Sequence, residues 1–569
     1  MDKTLLKIEN LSVQYEVNKG IIKAVDNLNL SLKEGERLGI IGESGSGKTS
    51  LAMAIMGLIK PPGKVKGNIF FKGENINKLS KDKLNKLRWK KIAIVFQNNL
   101  DVLNPLLTIY EQIYEVIVRH TVLNKRDIDK RIIELLTEVG LDSAIGEYYP
   151  HQLSGGMRQR VLIAMSLACE PELLIVDEPT SSLDMISKAG IIKLLLKLYR
   201  EKRFSLLVIS HELDTVLKLT SKISIMYSGT IVEKGKTFEV ITNPMHVYTR
   251  GLLNSSPAIN PYGDMWGIPG EINKYNGQGC PFNNRCNQGI EVCKNKKPTL
   301  KNISLKRQVA CNRGGIATVL VGEGIFKTYK YKGKTIEACK NCKIKIKGGE
   351  TVVLIGESGS GKTTLANILS GIIEADKGDV FFDGVAVKGN NFTRKKHGIQ
   401  IVFQDPFSSI NEKLSIADVI GEPLEIINRC SGDKFLEEIK KVLQDVQLPN
   451  DKGFIFRKCY TLSGGQRQRV ALARSLIMEP KLLIADEISS MLDPSTQANI
   501  LRLLKKLQNQ KGFSMLYITH DLPIARKIGD RVYVMSRGII LEEGVVRKVF
   551  SNPENDYTKT LINTGLNFI

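Results

Sequence analysis

The chain repeats itself. IGESGSGKTS at 41–50 returns as IGESGSGKTT at 355–364, LSGGMRQR at 153–160 as LSGGQRQR at 462–469, and LLIVDE at 173–178 as LLIADE at 482–487. A histidine follows each acidic pair at one distance: His211 lies 33 residues after Glu178, and His520 lies 33 after Glu487. Four blocks in the same order, twice, require a duplicated domain. The first copy occupies residues 1–250 and the second 316–569. Residues 251–315, rich in Gly, Pro, Asn and Cys, read as a linker with a small structure of its own.

Each copy reads as α/β. Apolar runs at Arg37–Ile41 and Thr351–Ile355 precede the glycine loops and predict buried strands. LANILSGII after the second loop has helical spacing, and SLLVISH and SMLYITH predict further buried strands. Strands alternating with helices imply a mostly parallel, covered sheet.

The sequence GESGSGKT fits the phosphate-binding pattern G-x-x-x-x-G-K-[ST] in both copies. Gly42, Gly45 and Gly47, like Gly356, Gly359 and Gly361, let the backbone turn tightly so that N–H groups point at phosphate oxygens. Ser44, Ser50, Ser358 and Thr364 belong to the same loops. Lys48 and Lys362 are expected to reach the β- and γ-phosphates, and Thr49 and Thr363 to ligate Mg²⁺. Each acidic pair ends an apolar run, placing two carboxylates at a sheet edge. Asp177 and Asp486 are expected to hold the metal, and Glu178 and Glu487 to polarise the attacking water. The Ser-Gly-Gly of each LSGG block (Ser154, Gly155, Gly156; Ser463, Gly464, Gly465) opens a helical stretch and offers free N–H donors, a second phosphate site.

Together these blocks resemble the ATP-binding-cassette (ABC) ATPase family along nearly the whole chain, LSGGQ being its signature. The resemblance implies two P-loop NTPase domains, each with a mostly parallel sheet core, an antiparallel β subdomain and a helical subdomain. Tyr15 and Tyr329, each 27 residues before its loop's first glycine, resemble the aromatic that stacks on adenine. Gln97 and Gln404 resemble the glutamine linking the metal to the membrane partner. SSLD (181–184) and SMLD (490–493) resemble the loop that crosses between domains, and His211 and His520 the switch histidine at the γ-phosphate. The family's mechanism implies two sandwiched nucleotides, with Lys48 facing Ser463 and Lys362 facing Ser154, and hydrolysis at both. Ile488, Ser489 and Met491 depart from the usual pattern beside Glu487, as Met157 does, more mildly, in the first signature.

Four of the nine cysteines, Cys280, Cys286, Cys293 and Cys311, fall between the copies. Four thiols in a short stretch suit an iron–sulfur cluster, or zinc; the alternative is four reduced cysteines in a loop that hold nothing. CPFNNRC resembles the C-terminal extension of ATPases from oligopeptide, dipeptide and nickel importers, where a 4Fe-4S cluster is implied in some members. Cys339 and Cys342 align with Val25 and Leu28 and are expected to pack in a core.

The net charge of +23 suits nucleic acid, anionic lipid or simply a lysine-rich surface. No run reaches the ~18 apolar residues of a membrane span, and the N-terminus lacks a signal-peptide pattern. The expectation is an ATPase peripheral to the cytoplasmic face of the membrane, working with two membrane permease subunits and, indirectly, an extracellular solute-binding protein. Its solute would be peptides, or nickel and metal chelates, and no nucleic-acid partner is expected. The alternatives are a soluble tandem ATPase on ribosomes, whose linker would be long, charged and helical, and a DNA-repair ATPase, which would carry a coiled-coil or zinc-finger insertion.

Overall fold

A computed structural model describes residues 3–17, 20–96, 102–181, 183–257, 259, 267–268, 270–271, 277–304, 306–331, 334–405, 410–427, 433–488 and 492–566. The chain divides into two compact units. One holds Met1–Ile259, Gly270–Asn284 and Ile290–Gly315; the other holds Asn260–Pro269, Arg285–Gly289 and Ile316–Ile569. The intervening residues 251–315 are thus shared between the two units.

In the first unit a core sheet runs in the order Leu300–Ser304, Arg307–Ala310, Thr230–Lys236, Lys222–Tyr227, Arg37–Ile41, Ser205–Ser210, Leu173–Asp177, Ile92–Val95. The five strands from Lys222–Tyr227 to Ile92–Val95 are parallel. Their sequences, such as LLIVD and SLLVIS, are apolar throughout because both faces are covered; every residue of these two strands is buried. A second, antiparallel sheet pairs Gly20–Lys33 with Thr4–Val17 and that strand with Gly63–Phe71. The helix Lys48–Ile55 lies between the two sheets, its Leu51, Ala52 and Ile55 sharing one core with Leu6, Leu30, Ile175 and Leu207. A helical part follows. Ile109–His120 starts at a reciprocal cap between Thr108 and Glu111, Lys125–Glu138 is capped by Asn124, and both pack with Gly155–Leu167.

The second unit repeats this plan. Its core sheet runs Ile399–Val402, Leu482–Asp486, Ser514–Thr519, Thr351–Ile355, Arg531–Ser536, Ile539–Val545, and its antiparallel sheet pairs Lys334–Lys347, Thr318–Tyr331 and Lys377–Phe382. Cys339 and Cys342 are buried in the core beneath that second sheet, as expected from Val25 and Leu28. Among the described residues no helix is long and apolar enough to cross a membrane.

One difference separates the units. The hairpin Leu300–Ser304/Arg307–Ala310, from the cysteine-bearing segment, joins the first core sheet by pairing Val309 with Glu233. The second unit's sheet ends at Ile539–Val545.

Candidate nucleotide site

Each phosphate loop links the end of a buried central strand to a helix N-terminus, the arrangement that presents backbone N–H groups to an anion. Gly47 and Gly361 precede these helices at φ 98° and 105°. A Cβ there would lie 1.9 Å from Ala24 O and 2.0 Å from Ala338 O, so only glycine fits. Ser44, Gly45, Thr49, Ser358, Gly359 and Thr363 are exposed along the loops. Lys48 is folded back, donating to Gly42 O at 2.8 Å and Glu43 O at 3.0 Å. Lys362 does the same to Gly356 O at 2.9 Å and Glu357 O at 2.7 Å. Burial lowers the pKa of both ammonium groups, and the neighbouring carboxylates oppose that shift.

The carboxylates arrive as the strands Leu173–Asp177 and Leu482–Asp486 end. Asp177 is buried, and burial pushes its carboxyl up to about 6 against the opposing hydrogen bond from Thr49. Burial likewise raises Asp486, opposed by Thr363. In both, Oδ1 is buried without a hydrogen-bond partner. A threonine hydroxyl beside a half-satisfied buried carboxylate suits Mg²⁺, which takes few protein oxygens and keeps waters and phosphate oxygens as its other ligands. Thr49 with Asp177, and Thr363 with Asp486, would hold it.

The next residue turns sharply. Glu178 and Glu487 sit at φ 53° and 45°, the left-handed region, with their N–H groups fixed to Ile209 O and Ile518 O. Strained backbone of this kind persists where its surroundings hold it in place. Glu178 Oε2 accepts from Ser210 Oγ at 2.9 Å, and Oε1 accepts from His211 N at 3.0 Å. His211 Nδ1 lies 2.7 Å from the same Oε1, and His520 Nδ1 lies 3.2 Å from Glu487 Oε1. Gln404 Nε2 donates to Glu487 Oε2 at 3.0 Å. Loop lysine, strand-end aspartate, glutamate and histidine therefore gather in each unit.

Other expected residues are placed less centrally. Tyr15 is half-buried with its hydroxyl 3.5 Å from Ser50 Oγ, while Tyr329 is exposed with Lys327 Nζ 5.9 Å from its ring centre. Ser154 and Ser463 cap exposed helix tips. Ser154 Oγ accepts from Met157 N at 3.3 Å, and Ser463 Oγ from Gln466 N at 3.3 Å. Gln466 Oε1 returns the bond from Ser463 N at 3.1 Å, an exchange that Met157 lacks the chemistry to make. Gly155 and Gly464 are exposed beside these caps, and Gly156 and Gly465 half-buried. Gln97, Ser489 and Met491 lie outside the described residues; Ile488 is buried.

The cysteine expectation is corrected. Among the described residues no three His, Cys, Asp or Glu side chains form a group able to hold a metal. The Cys293 thiol is buried 3.8 Å from Asn312 Nδ2, and Cys311 Sγ faces Gly315 O at 3.9 Å. An iron–sulfur cluster or zinc at these cysteines is therefore unsupported.

Ser210 escaped the sequence reading although the signal was present: a hydroxyl residue, Ser210 or Thr519, precedes the histidine in both copies.

Parallel sheet, phosphate loop and acidic strand end define a P-loop nucleotide hydrolase present twice in one polypeptide. The ABC transporter family profile matches residues 25–181 and 339–490, and the profile of the oligopeptide/dipeptide transporter C-terminal region matches 232–293. An uncharacterised ABC transporter ATP-binding protein, YejF, of Escherichia coli is 36% identical over 570 residues, covering 99% of each chain. The glutathione import ATP-binding protein GsiA of Pectobacterium atrosepticum is 34% identical over 99% of this chain and 89% of its own. The oligopeptide transport ATP-binding protein OppD of Mycobacterium bovis is 33% identical, covering 98% of each chain. The chain belongs to the ABC transporter ATP-binding family, and its chemistry is ATP hydrolysis.

Proposed function

We propose that the chain powers import of peptides, binding at the cytoplasmic face of the membrane to two permease subunits that an extracellular solute-binding protein serves. The supporting observation is similarity along the full length, including the 232–293 region, to ATP-binding subunits named for glutathione import and oligopeptide transport.

In this reading Lys48 and Lys362 leave the loop carbonyls they now hold and pair with the β- and γ-phosphates. Mg²⁺ would be held by Thr49 with Asp177 and by Thr363 with Asp486, Gln97 and Gln404 being the further candidate ligands, and it would neutralise phosphate charge. Tyr15 and Tyr329 stack on adenine. Glu178 and Glu487 orient the attacking water and take its proton, and His211 and His520 contact the γ-phosphate. The exposed tips at Ser154 and Ser463 supply N–H donors that complete the nucleotide site of another half.

The test is uptake of a radiolabelled tripeptide by cells lacking the gene. The wild-type chain should restore uptake. Glu178→Gln combined with Glu487→Gln should bind ATP yet restore none. Undiminished tripeptide uptake in the deletion strain, with loss of nickel uptake instead, would refute the peptide reading. Near-normal ATP turnover in the double variant would refute the glutamates' role.

A further inference from the structure

The helices Val247–Asn254 and Asp556–Leu566 occupy matching places in the two halves and carry Tyr248 and Tyr557 at equivalent positions. Matching glutamates tether the turns before them. Glu233 accepts from Met245 N at 3.0 Å and His246 N at 2.9 Å; Glu542 accepts from Glu554 N at 2.9 Å and Asn555 N at 3.1 Å. The tyrosines then differ. The Tyr248 hydroxyl accepts from the N–H of Glu43, inside the first phosphate loop, at 2.9 Å. The Tyr557 hydroxyl is buried without a hydrogen-bond partner.

The peptide bond that Tyr248 engages is the one whose carbonyl, Gly42 O, receives Lys48 Nζ at 2.8 Å. One peptide plane at the start of the loop is therefore held from both sides.

The cysteine-bearing extension seats Tyr248. Phe282 is only 1% exposed, with its ring centre 5.6 Å from Tyr248, 5.2 Å from Tyr227 and 5.6 Å from His246. Tyr227 and Tyr248 are 4.7 Å apart. At the place of Tyr227 the second half has Ser536. A second tether runs from the extension to the same loop. Lys297 Nζ meets the Asp26 carboxylate at 2.5 Å; Asp26 N donates to Gly229 O at 2.9 Å, and Gly229 N to Ser46 O at 2.9 Å. At the place of Asp26 the second half carries Lys340, a charge that would repel Lys297.

We propose that Tyr248 and Phe282 are positioning residues that set the ATP affinity of the first phosphate loop and leave the second untouched. This rests on the reading that these loops hold ATP. The aromatic seat preorganises the loop, so less ordering remains to be done when ATP binds.

Photolabelling of the full chain with 8-azido-ATP, with labelled peptides assigned to each half by mass spectrometry, tests the proposal. Tyr248→Phe removes one oxygen. It should raise the concentration that half-saturates the first site by roughly three- to tenfold, the value of one neutral hydrogen bond. Turnover at saturating ATP should stay within about twofold, as expected where only ground-state binding is lost. The second site should not move, and Tyr557→Phe should change neither site. Phe282→Leu should act in the same direction, and its combination with Tyr248→Phe should fall short of the summed effects, because both work through one contact. Equal shifts at both sites, no shift at either, or full additivity would overturn the proposal. First-site labelling that survives Lys48→Ala would reject the loop reading itself, and this proposal with it.

Discussion

Asp177→Asn offers a prediction whose sign is unusual for a residue proposed to hold a metal: in the absence of Mg²⁺ the variant should be the more stable protein. Asp177 is buried beside Glu178, its Oδ1 unpartnered, and its carboxyl is raised from 3.8 to about 6. The native state then holds the proton more tightly than the unfolded chain. Stability from this group is greatest below the unfolded value and falls as pH rises through the folded one. A shift of roughly two units corresponds to about 3 kcal/mol of destabilisation, fully developed above pH ~7. Asparagine keeps the shape and removes the charge. Without metal or nucleotide, the variant's lead over wild type should grow by about 1.3 kcal/mol between pH ~5 and pH ~7, then level off. At neutral pH it should raise the melting temperature of the first unit by about 6 °C at most. Differential scanning calorimetry of both proteins across this pH range gives the comparison. Adding Mg²⁺ and ATP should reverse the ranking, because only wild type gains full ligand stabilisation. A variant less stable than wild type at pH ~8 without metal, or a gap that ignores pH, would refute the argument.

Two further outcomes follow from the same geometry. Gly47→Ala places a methyl against Ala24 O in a left-handed backbone, so ATP binding at the first site should fall by more than about tenfold in equilibrium titration. Ser210→Ala deprives buried Glu178 of a donor. In a Glu487→Gln background the turnover of the first site should fall about tenfold, in line with a hydrogen bond to a charged group, and Ser210→Thr should retain activity, since Thr519 stands there in the second half.

Much of the site was legible because it is local. Phosphate loop, signature helix and acidic strand end are each a few consecutive residues, and their recurrence at equal spacing tied them together. His211 was legible for the same reason, although its bond to Glu178 spans 33 residues. The Tyr248–Glu43 contact spans 205 residues and joins a tyrosine to a backbone N–H, which leaves no trace in residue type. For the cysteines, spacing counts thiols and nothing more, and no metal-holding group stands among the described residues. The hairpin at 300–310 was hidden because LKNIS has no alternation of apolar and polar residues; its register comes from pairing with a strand more than sixty residues earlier.

That hairpin also decides where this chain can be cut. A fragment ending near residue 259 would bare the flank of Thr230–Lys236, whose N–H and C=O groups now bond to Arg307–Ala310. It would also leave Glu233, wholly enclosed, without the guanidinium of Arg307 at 2.5 Å. An open strand invites association with other chains, and an enclosed lone anion is costly. The shortest self-contained version of the first half therefore carries the residues up to Gly315, so the segment between the motif-bearing halves serves the first as structure.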